Sequence, residues 1–151
     1  MSNPNLIIPA LGGLYDATSK YAVPLIRVAT GLFLMPHGAQ KLFGMFGGNP
    51  DAIAGFFSKI GMEPAALLVT VVGLIEFFGG LFLALGLLTR PVAAAIFVML
   101  TVAWFKVHLA NGFFWSVGGI EYPLLWSIIA LAFAVRGGGE CSIDGKIGKE
   151  F

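Results

Sequence analysis

Four long apolar stretches dominate this sequence and constrain its fold more than any other feature. They cover approximately residues 21–40, 64–88, 91–109 and 119–136. An α-helix needs about 20 residues to cross a hydrocarbon layer of ~30 Å, and each stretch is close to that length. Of 151 residues, 58% are hydrophobic and 11% are charged, which is more apolar surface than a soluble domain of this length can bury. We therefore predict an all-α membrane protein with a single domain, a four-helix transmembrane bundle.

The connections between the first three stretches predict how their helices are joined. Thr89 and Arg90 alone separate the second stretch from the third, so these two helices should form an antiparallel hairpin. Between the first two stretches, Asn49 and Pro50 are typical of a helix N-cap and first turn, and apolar residues follow at helical spacing. This pattern predicts a short interfacial helix between spans 1 and 2. It is either a connector on the bilayer surface or a lid over a site.

The fourth stretch is the weakest candidate for a span. Its apolar part, residues 123–135, gives only ~20 Å at 1.5 Å per residue, so we expect the helix to begin near Gly119 with Pro123 in its first turn. Glycines 137–139 should end this helix. Residues 140–151 are expected to form a short polar tail.

Charge predicts the orientation and excludes one class of partner. The formal net charge is +1 and no run of Lys and Arg could follow a phosphate backbone, so we expect no nucleic-acid partner. A cytoplasmic N-terminus would place five of the flanking Lys and Arg inside and three outside, which favours N-in and C-in. In cysteine-accessibility labelling, positions Ser2 and Ser142 should then be labelled from the same face of the membrane. The single Cys141 cannot form an intramolecular disulfide.

Arg27 and Glu76 lie within predicted spans, where a charge costs at least ~2.5 to 3.5 kcal/mol unless it is paired or hydrated. Arg27 should lie ~9 Å and Glu76 ~14 Å above the inner boundary, an offset that an arginine side chain can bridge. We therefore predict that they are direct or water-bridged partners. Glu76 also lies on a stripe of small residues, which is typical of closely packed membrane helices: Gly73, Gly80 and Ala84. The pair is either a structural link between two helices or the centre of a polar cavity.

Further polar side chains are expected at the outer face, where the first and third spans end and the fourth begins. One cavity that opens outward and continues to Arg27 and Glu76 would be lined by His37, Lys41, His108 and Glu121. Asn111 should lie at the same face. The alternative is that each side chain extends independently to the lipid headgroups. Although two histidines at similar depth can ligate haem or a metal, no further Cys or His completes a set of ligands, and we predict no metal site.

The aromatic residues near the outer face are Trp104, Trp115, Tyr122 and Trp126. Their positions are typical of the aromatic belt found at a membrane interface. Stacking of a quinone ring against one of them is the alternative.

These residues together resemble the DoxX family. The resemblance rests on Arg27, on the segments His37–Gly44, Glu76–Gly80 and Gly86–Pro91, and on His108, Asn111–Phe114 and Gly119–Leu124. It covers roughly Pro24 to Asp144. The recurrent polar positions that it implies are Arg27, His37, Lys41, Glu76, His108, Glu121 and Tyr122. Relatives in this family include membrane subunits associated with thiosulfate:quinone oxidation and with redox-stress complexes.

The sequence and this resemblance favour an integral inner-membrane subunit of a bacterial or archaeal redox system that binds a quinone or a similar amphiphile. Arg27 would stabilise an anionic intermediate, and Glu76 or His37 would exchange protons. His108 with Glu121 would gate the outer mouth. The predicted ligand contacts are Lys41, Trp104, Asn111 and Tyr122.

Partners and alternatives stay open at this point. Because no redox domain is present in the sequence, a quinone or a partner redox subunit would have to carry the electrons. Membrane lipid is an expected partner, and a homo-oligomer is also open. A non-catalytic scaffold that docks a partner is the alternative function, and a small transporter is a third.

Overall fold

The computed structural model describes residues 6–151, and all regular structure in this range is helical. Three helices in it are long and apolar enough to cross a membrane. The elements, in chain order, are α1 (Gly12–Phe43), α2 (Pro50–Lys59), α3 (Ala65–Leu85), α4 (Thr89–Asn111), α5 (Glu121–Arg136) and α6 (Ile143–Ile147). The predicted fold class, an all-α membrane bundle, is confirmed. Ser2, proposed above for labelling, lies outside the described residues.

The helices differ from the predicted spans mainly at their ends. The first begins at Gly12 rather than near Tyr21, and a short 3₁₀ turn precedes it. The fourth helix begins at Glu121, two residues after the predicted start, with Pro123 in its first turn as expected. At 16 residues, α5 is ~24 Å long, shorter than a ~30 Å hydrocarbon layer. It packs along α4.

Helix α2 forms where the sequence predicts an interfacial helix. The side chain of Asn49 accepts a hydrogen bond of 3.0 Å from the Ala52 N–H and Pro50 occupies the first turn, which satisfies the cap. The apolar face of α2 packs on the start of α3, where Phe57 is buried against Ala65 and Val69. The short helix therefore lies over one end of the bundle.

Glycines set the contact between α1 and α3. A Cβ atom on Gly80 would lie 2.6 Å from the Gly31 carbonyl oxygen, and one on Gly38 would lie 2.7 Å from the Gly73 carbonyl oxygen. Only glycine allows two helix backbones to approach so closely, and this is the role predicted for the stripe of small residues around Glu76. By contrast, α1 touches α5 at few points. The bundle therefore consists of two tight pairs, α1 with α3 and α4 with α5.

Residues 140–151 are not a free polar tail, and that prediction is wrong. Helix α6 begins after Ser142, whose buried side chain accepts a hydrogen bond of 2.9 Å from the Gly145 N–H. The Arg90 guanidinium forms an ion pair of 3.4 Å with the Glu150 carboxylate and donates a hydrogen bond of 3.3 Å to the Phe151 carbonyl. The segment fills the end of the bundle at which the short helix α5 stops.

Candidate functional site

Lys41 and Glu76 form an ion pair between α1 and α3. The Lys41 Nζ and a Glu76 carboxylate oxygen are 2.7 Å apart, and the two side chains are 15% and 9% exposed. The same ammonium donates to the His37 carbonyl at 3.3 Å. An ammonium has three N–H donors, and no acceptor among residues 6–151 takes the third. Lys41 and Glu76 therefore join α1 to α3 through a partly buried ion pair.

Two π-helical turns carry ionisable residues of the site. Ile75–Gly79 contains Glu76, and Trp104–His108 ends at His108. A π turn inserts one residue into an α-helix and so rotates the side chains that follow it; such turns are frequent at functional sites. Neither turn has a signal in the hydrophobic periodicity of the sequence.

The ring of His108 is oriented by the loop before α5. Its Nδ1 lies 2.6 Å from the Gly118 carbonyl oxygen, to which the Asn111 side chain also donates at 3.1 Å. A carbonyl only accepts, so Nδ1 carries the proton in this contact. In the neutral ring Nε2 is then an acceptor.

A cavity of about 820 Å³ lies between the two helix pairs and contains this group of residues. Of the nine residues predicted above to act in catalysis or to contact a ligand, five line it: His37, Lys41, Glu76, His108 and Tyr122. The rest of the wall is mostly apolar and includes Phe33, Phe57, Met99, Leu125 and Trp126. Small-molecule sites are commonly apolar cavities of 300–1,000 Å³ with a few polar groups, and this cavity has that character.

The predicted pairing of Arg27 with Glu76 is wrong. The Arg27 guanidinium donates to the Gly138 carbonyl and, at 2.8 Å, to the Cys141 carbonyl, and its side chain is 2% exposed. It lies beside Gly86, the residue directly after α3, which is ten residues or ~15 Å beyond Glu76. Arg27 therefore fixes the C-terminal segment and does not line the cavity.

Three other predicted residues lie outside the cavity wall. The Glu121 carboxylate accepts a hydrogen bond of 3.0 Å from the Trp115 N–H, and the Asn111 side chain is bound to Gly118. Trp104 contacts Phe105 edge to face. The prediction that Glu121 shares the cavity with the histidines is wrong, because its carboxylate is used to hold the loop that carries Trp115.

Several cavity residues had no signal in the sequence analysis. Phe33, Phe57 and Gly118 belong to apolar or loop stretches and come to the cavity through the packing of distant segments. Two alternatives were open for α2, a lid over a site or a connector. Because Phe57 lines the cavity, α2 forms part of the cavity wall, which favours the lid. Tyr122 stacks on Trp115, with ring centroids 5.5 Å apart and planes at 4°.

Asp144 holds the other end of the bundle. Its carboxylate accepts hydrogen bonds from the Leu88 N–H (2.9 Å), the Thr89 N–H (2.8 Å) and the Thr89 hydroxyl (2.7 Å). It thereby caps the N-terminus of α4, where backbone N–H groups lack partners. Burial alone would raise the pKa of Asp144, but the bonds from Thr89 and Leu88, with the nearby Arg27 charge, outweigh burial and lower the pKa.

The fold and the site define a class of protein: a small helical membrane protein in which a lysine–glutamate ion pair lies in the wall of an apolar cavity. The DoxX family matches residues 22–109. This is more than half of the sequence, and the chain therefore belongs to the DoxX family.

Three relatives support this membership. An uncharacterized protein of Haemophilus influenzae is 32% identical over 133 residues, 86% of this chain and 93% of the relative. A Bacillus subtilis protein named "Putative oxidoreductase CatD" is 30% identical over 120 residues, 80% of this chain and 82% of its own. An uncharacterized membrane protein of Mycobacterium tuberculosis is 28% identical over 152 positions, 93% of this chain and 90% of its own. No solved structure matches the chain.

Proposed function

We propose that this protein is an integral plasma-membrane subunit of a bacterial redox system that binds a quinone or a similar amphiphile in its central cavity. The observation that carries the proposal is the Lys41–Glu76 pair in the wall of a largely apolar cavity of about 820 Å³. A charge in a membrane span is costly and commonly marks a ligand or proton pathway. The name of the Bacillus subtilis relative agrees with a redox role.

The residues of the wall fit a quinone head in size and chemistry. The ring of the head would lie between aromatic side chains such as Phe57 and Trp126, and the third N–H of Lys41 would donate to one ring oxygen. His108 Nε2 would accept a hydrogen bond from a hydroxyl of the reduced ring. A quinone, when bound, supplies the electron-carrying ring, and a partner subunit would supply or accept the electrons.

The proposal is tested by binding of a benzoquinone with a decyl tail to the purified protein in lipid nanodiscs. Two of the three tryptophans, Trp115 and Trp126, line the cavity, so binding should quench most of the tryptophan fluorescence. The double variant Lys41→Met/Glu76→Gln should bind about tenfold or more weakly, because it removes a charge-assisted hydrogen bond. His37→Ala should also lower the affinity for the quinone.

The control for this experiment is Glu140→Gln, which neutralises an exposed carboxylate outside the cavity wall and should leave the affinity unchanged. Saturable quenching that is equal in all four proteins would contradict the proposed site. In that case the scaffold function gains support, since the same ion pair and glycine contacts join α1 to α3 and could serve helix packing alone.

Four spans with both termini in the cytoplasm complete the proposal, with α5 as the fourth span. Ser142 is buried, so the neighbouring exposed Cys141 is the better residue for labelling. A membrane-impermeant maleimide should label Cys141 in inverted vesicles and not in intact cells. In a Cys141→Ser background, Ser116→Cys in the loop before α5 should label in intact cells. Labelling of Cys141 from outside would contradict the orientation.

A further inference from the structure

The cavity has one weakly closed side, between α1 and α5. Here the two helices meet through Phe33 and Trp126, whose rings touch edge to face with centroids 5.7 Å apart. Phe33 is 62% exposed and Leu125 is 49% exposed, yet both line the cavity. The same side chains therefore face the interior of the bundle and its outer surface.

Two other sides of the cavity are closed by direct contacts between helices. The glycine contacts seal α1 against α3, and α4 packs along α5. Phe57 of α2 and the Gly118–Gly119 segment cover the end that carries the histidines. A molecule that leaves the cavity between α1 and α5, which make little direct contact, therefore passes Phe33.

This gap lies at the depth of the hydrocarbon layer. Phe33 is ten residues before the end of α1, which places it ~15 Å from that end, about half of a ~30 Å layer. The side chains that border the gap, Phe33, Leu125 and Trp126, carry no charge. Lipid tails, not water, surround an apolar surface at this depth.

We propose that the ligand enters the cavity from the bilayer through the gap between α1 and α5, and that it is an amphiphile whose hydrocarbon tail stays in this gap while its polar head reaches Lys41 and Glu76. This inference rests on the proposed function and adds the route and the tail. A tail in the gap would cover the exposed faces of Phe33 and Leu125, and burial of each methylene favours binding. A ligand dissolved in the membrane avoids the loop that covers the histidine end.

The tail can be located by photo-crosslinking in nanodiscs, with a benzoquinone whose decyl tail carries a diazirine near its end. A tail-less dimethoxy-methyl-benzoquinone is the competitor. We expect labelled peptides that contain Phe33 or Leu125–Trp126, and we expect the competitor to suppress this labelling. Suppressible labelling confined to residues 112–119 would overturn the lateral route and leave the cavity site intact. Labelling that the competitor never suppresses would overturn both the route and the proposed function.

A pair of matched variants tests the same point through affinity. Leu125→Trp adds bulk in the gap, whereas Leu131→Trp adds it at a residue of α5 that is 43% exposed and outside the cavity wall. Leu125→Trp should lower the affinity for the tailed quinone about tenfold. It should change the affinity for the tail-less compound by less than about twofold, since only the tail occupies the gap. Equal losses for both compounds, or equal losses in both variants, would contradict the route.

Discussion

Replacing Glu76 by glutamine is expected to lower the free energy of unfolding by about 3 to 5 kcal/mol, the cost of leaving one partner of a buried ion pair alone. Glutamine has the size of glutamate, so the change removes the charge without opening a cavity. Lys41 then keeps a positive charge in a wall that is mostly apolar, and its acceptors, the glutamine amide oxygen and the His37 carbonyl, are both neutral. Unfolding in mixed micelles with increasing dodecyl sulfate, followed by tryptophan fluorescence, measures the loss.

The double variant Lys41→Met/Glu76→Gln should recover much of that stability. Methionine is unbranched and only one atom shorter than lysine, and it removes the uncompensated charge, so the two changes should not be additive. Glu140→Gln, at an exposed carboxylate, should change the free energy by less than about 0.5 kcal/mol. Additive losses in the double variant would show that Lys41 and Glu76 are not energetically coupled.

Replacing Asp144 by asparagine is expected to cost about 3 kcal/mol. The carboxylate accepts from two backbone N–H groups and one hydroxyl, and an asparagine amide nitrogen would face donors that it cannot satisfy. The same carboxylate neutralises the positive end of the α4 dipole. The C-terminal segment should then detach from the bundle, which limited proteolysis would detect as new cleavage sites after Arg136.

The effect of Asp144 should depend on pH. Because its pKa is lower in the folded protein than in the unfolded chain, its contribution is complete above the unfolded value of about 3.9 and disappears as the pH falls through the folded value. The difference in melting temperature between the wild type and Asp144→Asn should therefore shrink as the pH is lowered from ~5 towards the folded pKa. A difference in melting temperature that stays constant over this range would contradict the role of the Asp144 charge.

Much of the fold followed from the sequence because the membrane imposes a helix length. The apolar stretches, the Asn49 cap and the glycines around Glu76 each have a local physical cause, and the structure places them as predicted. The two π turns could not be predicted, because one inserted residue barely changes the hydrophobic pattern of a long apolar helix. Glu76 and His108, two of the ionisable residues in the cavity wall, lie within these turns.

The pairing of charges could not be predicted from depth alone. Lys41 was placed with the outer polar residues and Arg27 with Glu76, since counting along each helix ignores how far the helices slide past one another. In the structure, Glu76 lies within reach of Lys41, and Arg27 lies beside the C-terminal segment. Residues 140–151 are polar enough to be exposed, and nothing local in them predicts docking against Gly86 and Thr89.

The partners of Arg27 also fix an order of assembly. The Gly138 and Cys141 carbonyls follow Arg27 by 111 and 114 residues in the chain. We therefore expect the first helix to enter the membrane before these two acceptors are made, with its guanidinium extended towards the lipid phosphates. A product shortened before residue 137 would leave the Arg27 guanidinium without both of these acceptors.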